Sequence, residues 1–297
     1  MKTHTFSLDK LEAQKLNQLL ISAVSPRPIA LVSSIDENGK VNLSPFSFFN
    51  IFSFNPPILI FSPSRRSRDN TTKHTFENVL EVQEVAISMV SYAMGQQIAL
   101  ASKRYPKEVN EFAKAGLSPI ESDLIKPPYV GEAPVSFECI VNKVLPMGTD
   151  AGSGNLVISK IIKIHINESC YCPNNLVDIE KLDLVGRMGG SYYCSTRSES
   201  RFEIKSPESP LGIGFDKLPK HALESKFLST NTLGKVASMS QIPSQKTLES
   251  YFEKPEIKII IENNVEEEKI KLLHLRVQHL IDKDQLEEAL CCLFLIK

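Results

Sequence analysis

The sequence predicts a mainly β fold with helices, built as a closed or split antiparallel barrel and followed by a C-terminal α-rich extension. Many short apolar runs bounded by turn residues predict strands, and the helical patterns between them lack the regular alternation typical of a parallel sheet. Prolines and glycines cluster after Ser206. We expect residues 1–205 to form the barrel domain and residues 206–297 to form an extension ending in a helical hairpin.

Composition describes an ordinary soluble globular protein. The 297 residues carry a net charge of −1, with 42% hydrophobic and 23% charged residues, which allows one or two domains or one domain with an appended tail. No basic surplus indicates a nucleic-acid partner. Residues 1–15 lack the apolar segment of a signal peptide, and no apolar run has transmembrane length. We therefore expect a cytoplasmic protein without a membrane partner.

The first half of the chain reads as short strands with helices between them. Residues 9–20 predict an amphipathic helix, and Ile29–Ile35 predict a buried strand that turns at Asp36–Gly39 into a hairpin. The stretch Ser44–Asn50 is predicted to be a loop. A strand over 58–62 precedes a helix beginning near Thr71, where Asn and Thr are good N-cap residues.

Two long strands and a glycine-rich segment follow. Val135–Leu145 and Asn155–Ile166 predict an antiparallel hairpin with a glycine-rich tip. Further on, Gly186, Gly189 and Gly190 indicate backbone packed close to something flat or bulky.

The extension predicts mixed structure. We expect a helix over 217–228, a strand over 256–261, and helices from Glu266 onward. One apolar stripe on the first of these late helices comprises Ile270, Leu273, Val277 and Leu280. Intramolecular packing is the favoured interpretation of that stripe; the alternative is an interaction protein that binds a partner through the helical tail.

A cationic cluster is the first chemical signal. Between Ser64 and Lys73 lie Arg65, Arg66, Arg68 and Lys73 against the single acid Asp69. Guanidinium groups match phosphate oxygens, hydroxyl groups add neutral donors, and a helix starting at Thr71 or Thr72 would add backbone amides. The pattern indicates an anion site, although a solvated basic loop has the same composition.

The aromatic stretch from Ser44 to Asn50 is the second signal. Phe46, Phe48 and Phe49 suit a hydrophobic core, and serines interleaved with them also suit a slot for a planar heteroaromatic ring.

Several common motifs are missing from the sequence. It contains no Walker loop, no dinucleotide GxGxxG, no GxSxG elbow and no HExxH, and its six cysteines show no CxxC spacing. We therefore expect no metal and no catalytic side-chain dyad, and we expect most of the thiols to be buried.

Four ordered motifs carry a resemblance to a known family: Ser25-Pro26-Arg27-Pro28-Ile29-Ala30, Asn42 to Asn50, Arg65-Arg66 to Lys73-His74-Thr75, and Arg187-Met188-Gly189-Gly190. Together they resemble the flavin reductase-like, FMN-binding split-barrel family, especially its flavoredoxin-like branch, from about residue 20 to about residue 195. The resemblance implies a split β-barrel homodimer that binds FMN near the subunit interface.

The resemblance also implies roles for particular residues. Lys73 and Thr75 match the Lys and Thr of the family's Lys-Asp-Thr phosphate element, in which His74 replaces the Asp. The segment from Ser44 to Ser47 with Asn50 would line the flavin ring, Ser33 and Ser34 would lie beneath it, Ala101 and Ser102 would cover it, and Arg187 to Gly190 would approach its other side. The expected cofactor-binding residues are Ser33, Ser34, Ser44, Pro45, Phe46, Ser47, Asn50, Arg65, Arg66, Thr71, Thr72, Lys73, Thr75, Ala101, Ser102, Arg187, Gly189 and Gly190.

Two functions follow from the resemblance. The favoured one is an FMN-dependent oxidoreductase of the flavin reductase type, passing a hydride or electrons from NAD(P)H or a protein donor through FMN to a flavin, metal or protein acceptor. Many members that use pyridine nucleotides carry a His where this chain has Asn155, a candidate substrate contact that cannot become a cation near neutral pH. The alternative is therefore a flavin-binding module without turnover.

Overall fold

The computed structural model describes residues 2–174, 176–204 and 211–296. The chain forms two compact units, Met1–Phe202 and Glu203–Lys297. The predicted boundary between residues 205 and 206 lies outside the described residues, and the two predicted domain ranges stay a prediction. Within the described ranges, no helix combines the length and the apolar character needed to cross a membrane.

The first unit contains the strands. They are β1 Arg27–Pro28, β2 Ala30–Ile35, β3 Val41–Phe46, β4 Phe49–Phe54, β5 Pro57–Phe61, β6 Glu84–Met89, β7 Pro119–Ile120, β8 Tyr129–Val130, β9 Val135–Pro146, β10 Asn155–Ile166, β11 Tyr171–Cys172, β12 Leu176–Val177, β13 Val185–Arg187 and β14 Tyr193–Ser195.

Helices occur in both units. Those of the first unit are α1 Ala13–Ala23, α2 His74–Glu81, α3 Gly95–Ala101 and α4 Glu111–Ala115. Those of the second are α5 Lys220–Leu223, α6 Thr230–Ala237, α7 Gln245–Phe252, α8 Pro255–Glu262, α9 Glu266–Asp282 and α10 Leu286–Phe294.

The main sheet of the first unit must curl into a barrel. Its seven antiparallel strands have the order β3-β2-β6-β9-β10-β5-β4, so β3 and β4 form the two edges. In a flat sheet with strands about 4.8 Å apart, these edges would be about 29 Å apart. Only Ser47 and Phe48 separate the two strands along the chain, and three residue steps span at most about 11 Å. The sheet therefore curves until its unpaired edges approach each other, which is a split barrel.

Strand β2 lies at the centre of two hydrophobic clusters because both of its faces are covered. Ala30 and Val32 join a cluster with Phe61 and other strand residues. Ile29 and Leu31 point the opposite way and join a cluster formed with α3 and α4. This double burial fixes the register of β2 and β3, and with it the polar residues that β3 presents.

The predicted hairpin of β9 and β10 is confirmed, as are the predicted turn at Asp36–Gly39 and the strand β5.

The predicted loop Ser44–Asn50 is wrong, because β3 continues to Phe46 and β4 begins at Phe49. Backbone pairing to β2 and β5 extends both strands into a segment whose serine-rich composition is typical of a loop.

Two predicted helix starts are also wrong. Helix α1 begins at Ala13 rather than residue 9 and continues to Ala23. Helix α2 begins at His74, three residues after the predicted start. The hydroxyl group of Thr71 donates to Asp69 and that of Thr72 donates to Glu77, so neither threonine caps the helix.

The described residues of the second unit form helices joined by loops, with no β-strand among them, and they have their own core. Leu273, Val277 and Leu280 of the predicted α9 stripe are buried in it, together with residues of α6, α8 and α10. The interpretation of the stripe as intramolecular packing is confirmed.

Two predictions for the second unit are wrong. The segment predicted as a strand over 256–261 lies in helix α8, because Pro255 occupies the first helical turn and Ile257 is buried against neighbouring helices. Short apolar runs fit either structure until their packing partners are known. The helix predicted over 217–228 is reduced to the four residues of α5, which Pro219 precedes.

Candidate functional site

A polar cleft lies where β3, the loop between β5 and α2, and the segment after α3 meet. Its cavity volume is about 60 Å³, far below the roughly 300–1,000 Å³ of a pocket that encloses a whole drug-sized ligand. Six of the predicted residues line it: Ser44, Arg66, Lys73, Thr75, Ala101 and Ser102. Six lining residues were not among the expected site residues: Asn42, His74, Lys103, Arg104, Tyr105 and Glu111.

The loop between β5 and α2 is held in place by its own polar groups. The Arg65 guanidinium donates to the side-chain oxygen of Asn70 at 2.7 Å and to its backbone carbonyl at 2.6 Å. The Asn70 amide group donates to the Thr149 carbonyl at 3.1 Å, which ties this loop to the tip of the β9–β10 hairpin. Arg65 therefore shapes the loop rather than lining the cleft.

Arg66 and Lys73 are the cations that the loop presents to the cleft. Arg66 donates to the Thr71 hydroxyl group at 3.1 Å and to the Thr72 carbonyl. The Lys73 ammonium lies 4.6 Å from the centre of the Phe46 ring. In the described part of the chain, no carboxylate forms an ion pair with either residue.

The electrostatics of this pair favour an anion. Burial lowers the pKa of Lys73, and the nearby charge of Arg66 lowers it further. Burial also lowers the pKa of Arg66, and the charge of Arg104 acts in the same direction. An anion placed between these cations would remove an unfavourable like-charge arrangement.

The first turn of α2 adds backbone donors to the same cleft. Lys73 is the N-cap residue, and its side chain does not cap the helix. The hydroxyl group of Thr75 accepts a hydrogen bond from the Asn42 side chain at 2.8 Å, which fixes the helix start against β3. Uncapped amides at a helix N-terminus and the helix dipole both favour negative charge.

The segment after α3 forms the rim of the cleft. Arg104 pairs with Asp69 at 2.5 Å and so links this segment to the loop before α2. The Thr71 hydroxyl group and Arg104 hold the pKa of Asp69 below its usual range. On the other side, Glu111 accepts a hydrogen bond from the Leu43 amide at 3.0 Å, and burial raises its pKa. Glu111 therefore ties the start of α4 to β3 beside the cleft.

Several predicted residues lie outside the cleft lining. Ser33 and Ser34 are buried in β2, where the Ser34 hydroxyl group accepts from the Asn78 amide group at 3.1 Å. Phe46 packs against Phe61 in the core, and the Asn50 side chain accepts from the Ile51 amide on the edge strand β4. The structure also leaves Pro45, Ser47, Arg65, Thr71 and Thr72 outside the lining.

The predicted glycine segment belongs to the small sheet of β1, β13 and β14. A Cβ atom on Gly189 would lie 2.3 Å from the Ser22 hydroxyl oxygen, and one on Gly186 would lie 2.8 Å from the Pro26 Cβ. The close packing that the glycines predicted is thus present against the end of α1 and the residues that follow it. The Arg187 guanidinium lies 4.5 Å from the centre of the Tyr193 ring and donates to the Gly190 carbonyl at 2.5 Å.

Asn155 has a structural role at the start of β10. Its side-chain amide group donates to the Pro63 carbonyl at 2.8 Å, and its backbone amide donates to the Ser62 hydroxyl group at 3.1 Å. The residue is 2% exposed. Its role as a substrate contact stays a prediction.

The fold and the site define a class: a split barrel with a cationic cleft at the start of a helix, suited to a phosphate-bearing ligand. The family model described as "Flavin reductase like domain" matches residues 22–179, and the chain belongs to that family. The predicted family is thereby confirmed, and with it the split-barrel fold.

Individual relatives agree with this assignment. An uncharacterized protein of Aquifex aeolicus is 36% identical over 199 residues, which cover 67% of this chain and 99% of the relative. The structure of nitrilotriacetate monooxygenase component B from Bacillus cereus is similar with a TM-score of 0.64 and 27% identity, covering 69% of this chain and all of that one. The 2-nitrobenzoate 2-nitroreductase NbaA of Pseudomonas fluorescens gives a TM-score of 0.63 at 25% identity, covering 71% of this chain and 100% of that one. Family membership supports a flavin cofactor and a flavin-related redox function.

Proposed function

We propose that this protein is an FMN-dependent oxidoreductase of the flavin reductase type. It would pass a hydride or electrons from NAD(P)H or a protein donor to a flavin, metal or protein acceptor. The observation that carries this proposal is the cleft in which Arg66, Lys73 and the first turn of α2 converge. Among the described residues, no acid neutralises the two cations by an ion pair.

The donors of the cleft fit the phosphate group of FMN. A phosphate monoester has three acceptor oxygens, and a guanidinium, an ammonium and backbone amides are its usual partners. The small volume of the cleft suits one phosphate group with the rest of the cofactor extending outward. Bound there, FMN would supply hydride or electron transfer at its ring.

The residues of this chain would then bind and orient the cofactor. Arg66 and Lys73 would hold the phosphate, with Thr75 at the helix start and Ser44 on β3 beside it. Ala101 and Ser102, at the end of α3, would cover the flavin ring, as the resemblance implies. On the basis of the resemblance, we further propose that two segments face the flavin ring: Ser44 to Ser47 with Asn50, and Arg187 to Gly190.

The surface of the first unit supports the proposed homodimer. The edge strand β4 exposes 58% of Ile51, 64% of Phe52 and 89% of Phe54. Helix α1 has no buried residue, although Leu19 and Leu20 give it an apolar face. Exposed large apolar side chains of this kind occur at subunit interfaces, and a second copy of the chain is the proposed partner.

The alternative is a flavin-binding module without turnover. Asn155 supports it, because its side chain is occupied by the Pro63 carbonyl and a carboxamide carries no charge to offer a nucleotide donor.

One spectroscopic experiment separates these functions. The visible absorbance spectrum of the purified full chain, supplemented with FMN if necessary, is recorded anaerobically before and after NADH or NADPH is added. Flavin bands that bleach would support the reductase. Bands that persist would favour the binding module or a protein donor, and a chain that retains no FMN would contradict both.

A further inference from the structure

His74 is an imidazole in the cleft of the proposed flavin site. It is the first residue of α2 and lines the cleft with Arg66 and Lys73. Within the described ranges, no residue hydrogen bonds to its ring or pairs with it. By contrast, His165 bonds to Glu138 at 2.6 Å, and His221 and His274 bond to each other at 3.0 Å. The His74 ring is therefore free to contact a ligand.

Burial disfavours the charged form of the His74 imidazole while the cleft lacks an anion. Burial lowers its pKa, and the charges of Arg66 and Lys107 act in the same direction, against the opposing effects of Glu77 and Glu108. The other ionisable groups that line the cleft are Lys73, Lys103, Arg104, Tyr105 and Glu111. Of these charged groups, five are cations and three are acids.

We propose that His74 is a phosphate-binding residue that takes up a proton when a dianionic phosphate monoester enters the cleft. This inference rests on the proposed function, because the ligand is the phosphate group of FMN. Two negative charges beside the ring reverse the local field, so the imidazolium becomes the favoured form and donates a charge-assisted hydrogen bond. The proton comes from the solvent and stays on the ring.

The consequence is a cofactor affinity that depends on pH through this residue. The dianion of a phosphate monoester takes up a proton near pH 6, so acid by itself weakens its binding. A protonated His74 opposes that loss. The residue also makes the cleft select FMN over riboflavin, which lacks the phosphate. Since the resemblance places Asp at this position in the family's phosphate element, this proton uptake is a property of chains that carry His here.

Calorimetry with a matched variant tests the proposal. FMN is titrated into the full chain near pH 7 in two buffers that differ in ionisation enthalpy, which gives the number of protons taken up on binding. The wild type is compared with His74→Asn, which keeps a polar side chain compatible with a helix start. His279→Asn is the control, because His279 is exposed on α9 in the other unit.

We expect net proton uptake in the wild type and in His279→Asn, and its loss in His74→Asn. Near pH 6 the variant should bind FMN about tenfold or more weakly, and near pH 8.5 the difference should shrink to about twofold. Inorganic phosphate alone should reproduce the difference in proton uptake, and riboflavin should not.

The outcomes that overturn the proposal are distinct from failure of the proposed function. If wild type and His74→Asn both bind FMN with equal proton uptake, His74 gains no proton on binding and the proposal fails, while FMN binding stands. If the wild type binds no FMN, the proposed function fails and this inference fails with it. Circular dichroism spectra of the two chains should coincide, and an NMR titration of the His74 ring in the wild type, with and without inorganic phosphate, gives the same answer without a variant.

Discussion

The surroundings of the Lys73 ammonium favour the binding of an anion. The ammonium packs over the Phe46 ring, and burial together with Arg66 lowers its pKa. A group in this position gains from an anion more than a solvated lysine does, because little water remains to compete. Arg68 lies in the same loop but is exposed and outside the cleft lining.

Substitution at these two residues gives the first prediction. Lys73→Ala should weaken FMN binding by about 1.5–3 kcal/mol, or about ten- to 150-fold, because a charge-assisted phosphate contact is lost. The measurement is quenching of flavin fluorescence on titration. Arg68→Ala removes the same charge from the same loop and should change the affinity much less. Equal losses in the two variants would mean that only the general field of the loop matters.

Glu138 has a buried carboxylate whose hydrogen bonds give it a structural role. Its carboxylate is fully buried and accepts hydrogen bonds from the Asp123 amide at 2.9 Å, the Leu124 amide at 2.7 Å and His165 at 2.6 Å. Asp123, Glu138 and His165 form a compact cluster with atoms within 4.8 Å of one another, and Lys163 pairs with Asp123. The cluster fastens the segment before β8 to strand β9.

The second prediction concerns this buried carboxylate. Glu138→Gln should lower the free energy of unfolding by about 1.5–3 kcal/mol, because a hydrogen-bonded charge is replaced and a backbone amide loses its acceptor. Urea unfolding followed by circular dichroism measures the loss. Glu132→Gln is the control, since exposed Glu132 also accepts a backbone amide, that of Ser118, and should cost less than about 0.5 kcal/mol. Similar losses in both variants would contradict the assigned role.

At the scale of elements, a chain of hydrogen bonds joins four parts of the second unit. The Ser225 hydroxyl group lies 2.8 Å from His274 Nδ1, His274 Nε2 lies 3.0 Å from His221 Nδ1, and His221 Nε2 lies 3.1 Å from the Leu293 carbonyl. The Ser225 hydroxyl oxygen accepts the Phe227 and Leu228 amides, so its proton is donated to His274 Nδ1. His274 then donates from Nε2 to His221 Nδ1, and His221 donates from Nε2 to the Leu293 carbonyl. Both rings are therefore neutral in the native arrangement.

The third prediction is a loss of stability in acid. Burial, then the charge of His221, lower the pKa of His274 to about 4, and burial lowers that of His221. A His in the unfolded chain has a pKa of about 6.5. The stabilisation that the neutral buried rings give to the folded state is therefore complete above that pH and declines as the pH falls toward about 4. The unfolding free energy should fall by at most about 1.4 kcal/mol per pH unit for each His.

Urea unfolding followed by far-ultraviolet circular dichroism from about pH 7.5 to about pH 4.5 checks this dependence. His274→Gln should flatten it, since the variant has one titrating ring fewer. A wild-type profile without a slope in this range, or an unchanged slope in the variant, would contradict neutral buried rings.

At the scale of the whole molecule, the first unit leaves an edge of its sheet uncovered. Strand β4 pairs only with β5 among the described strands. Exposed, apolar edge strands invite pairing with another chain, and proteins usually cover or charge them. We propose that a subunit interface covers strand β4.

The fourth prediction follows from this edge. The wild type should sediment as a dimer, and Phe52→Lys should weaken the dimer at least about 100-fold, because two Phe side chains per dimer lose about 1.5–3 kcal/mol of burial each. Sedimentation equilibrium measures the association constant. Ile259→Lys, at an exposed position on α8 of the second unit, should leave the dimer intact. A wild type that stays monomeric would contradict the proposed interface.

The sequence by itself determined the elements whose signal is local. Alternating or continuous apolar runs fixed most of the barrel strands, and the cationic loop stood out because four basic residues lie close together along the chain. Those signals need no knowledge of distant neighbours. The Ser229 and Ser244 N-caps of α6 and α7 were also readable, since each serine accepts an amide three residues on, although no helix was predicted there.

Only the tertiary structure decided which members of the loop remain available to a ligand. Arg65, Thr71 and Thr72 belong to the same loop as Arg66 and Lys73 but do not line the cleft. Their side chains bond to Asn70, Asp69 and Glu77 instead. The packing of α3 and α4 brings Lys103, Arg104 and Glu111 to the cleft. In the second unit, the burial of Ile257 favours a helix at α8. Pairing and burial depend on residues far apart in the chain, so no local pattern carries them.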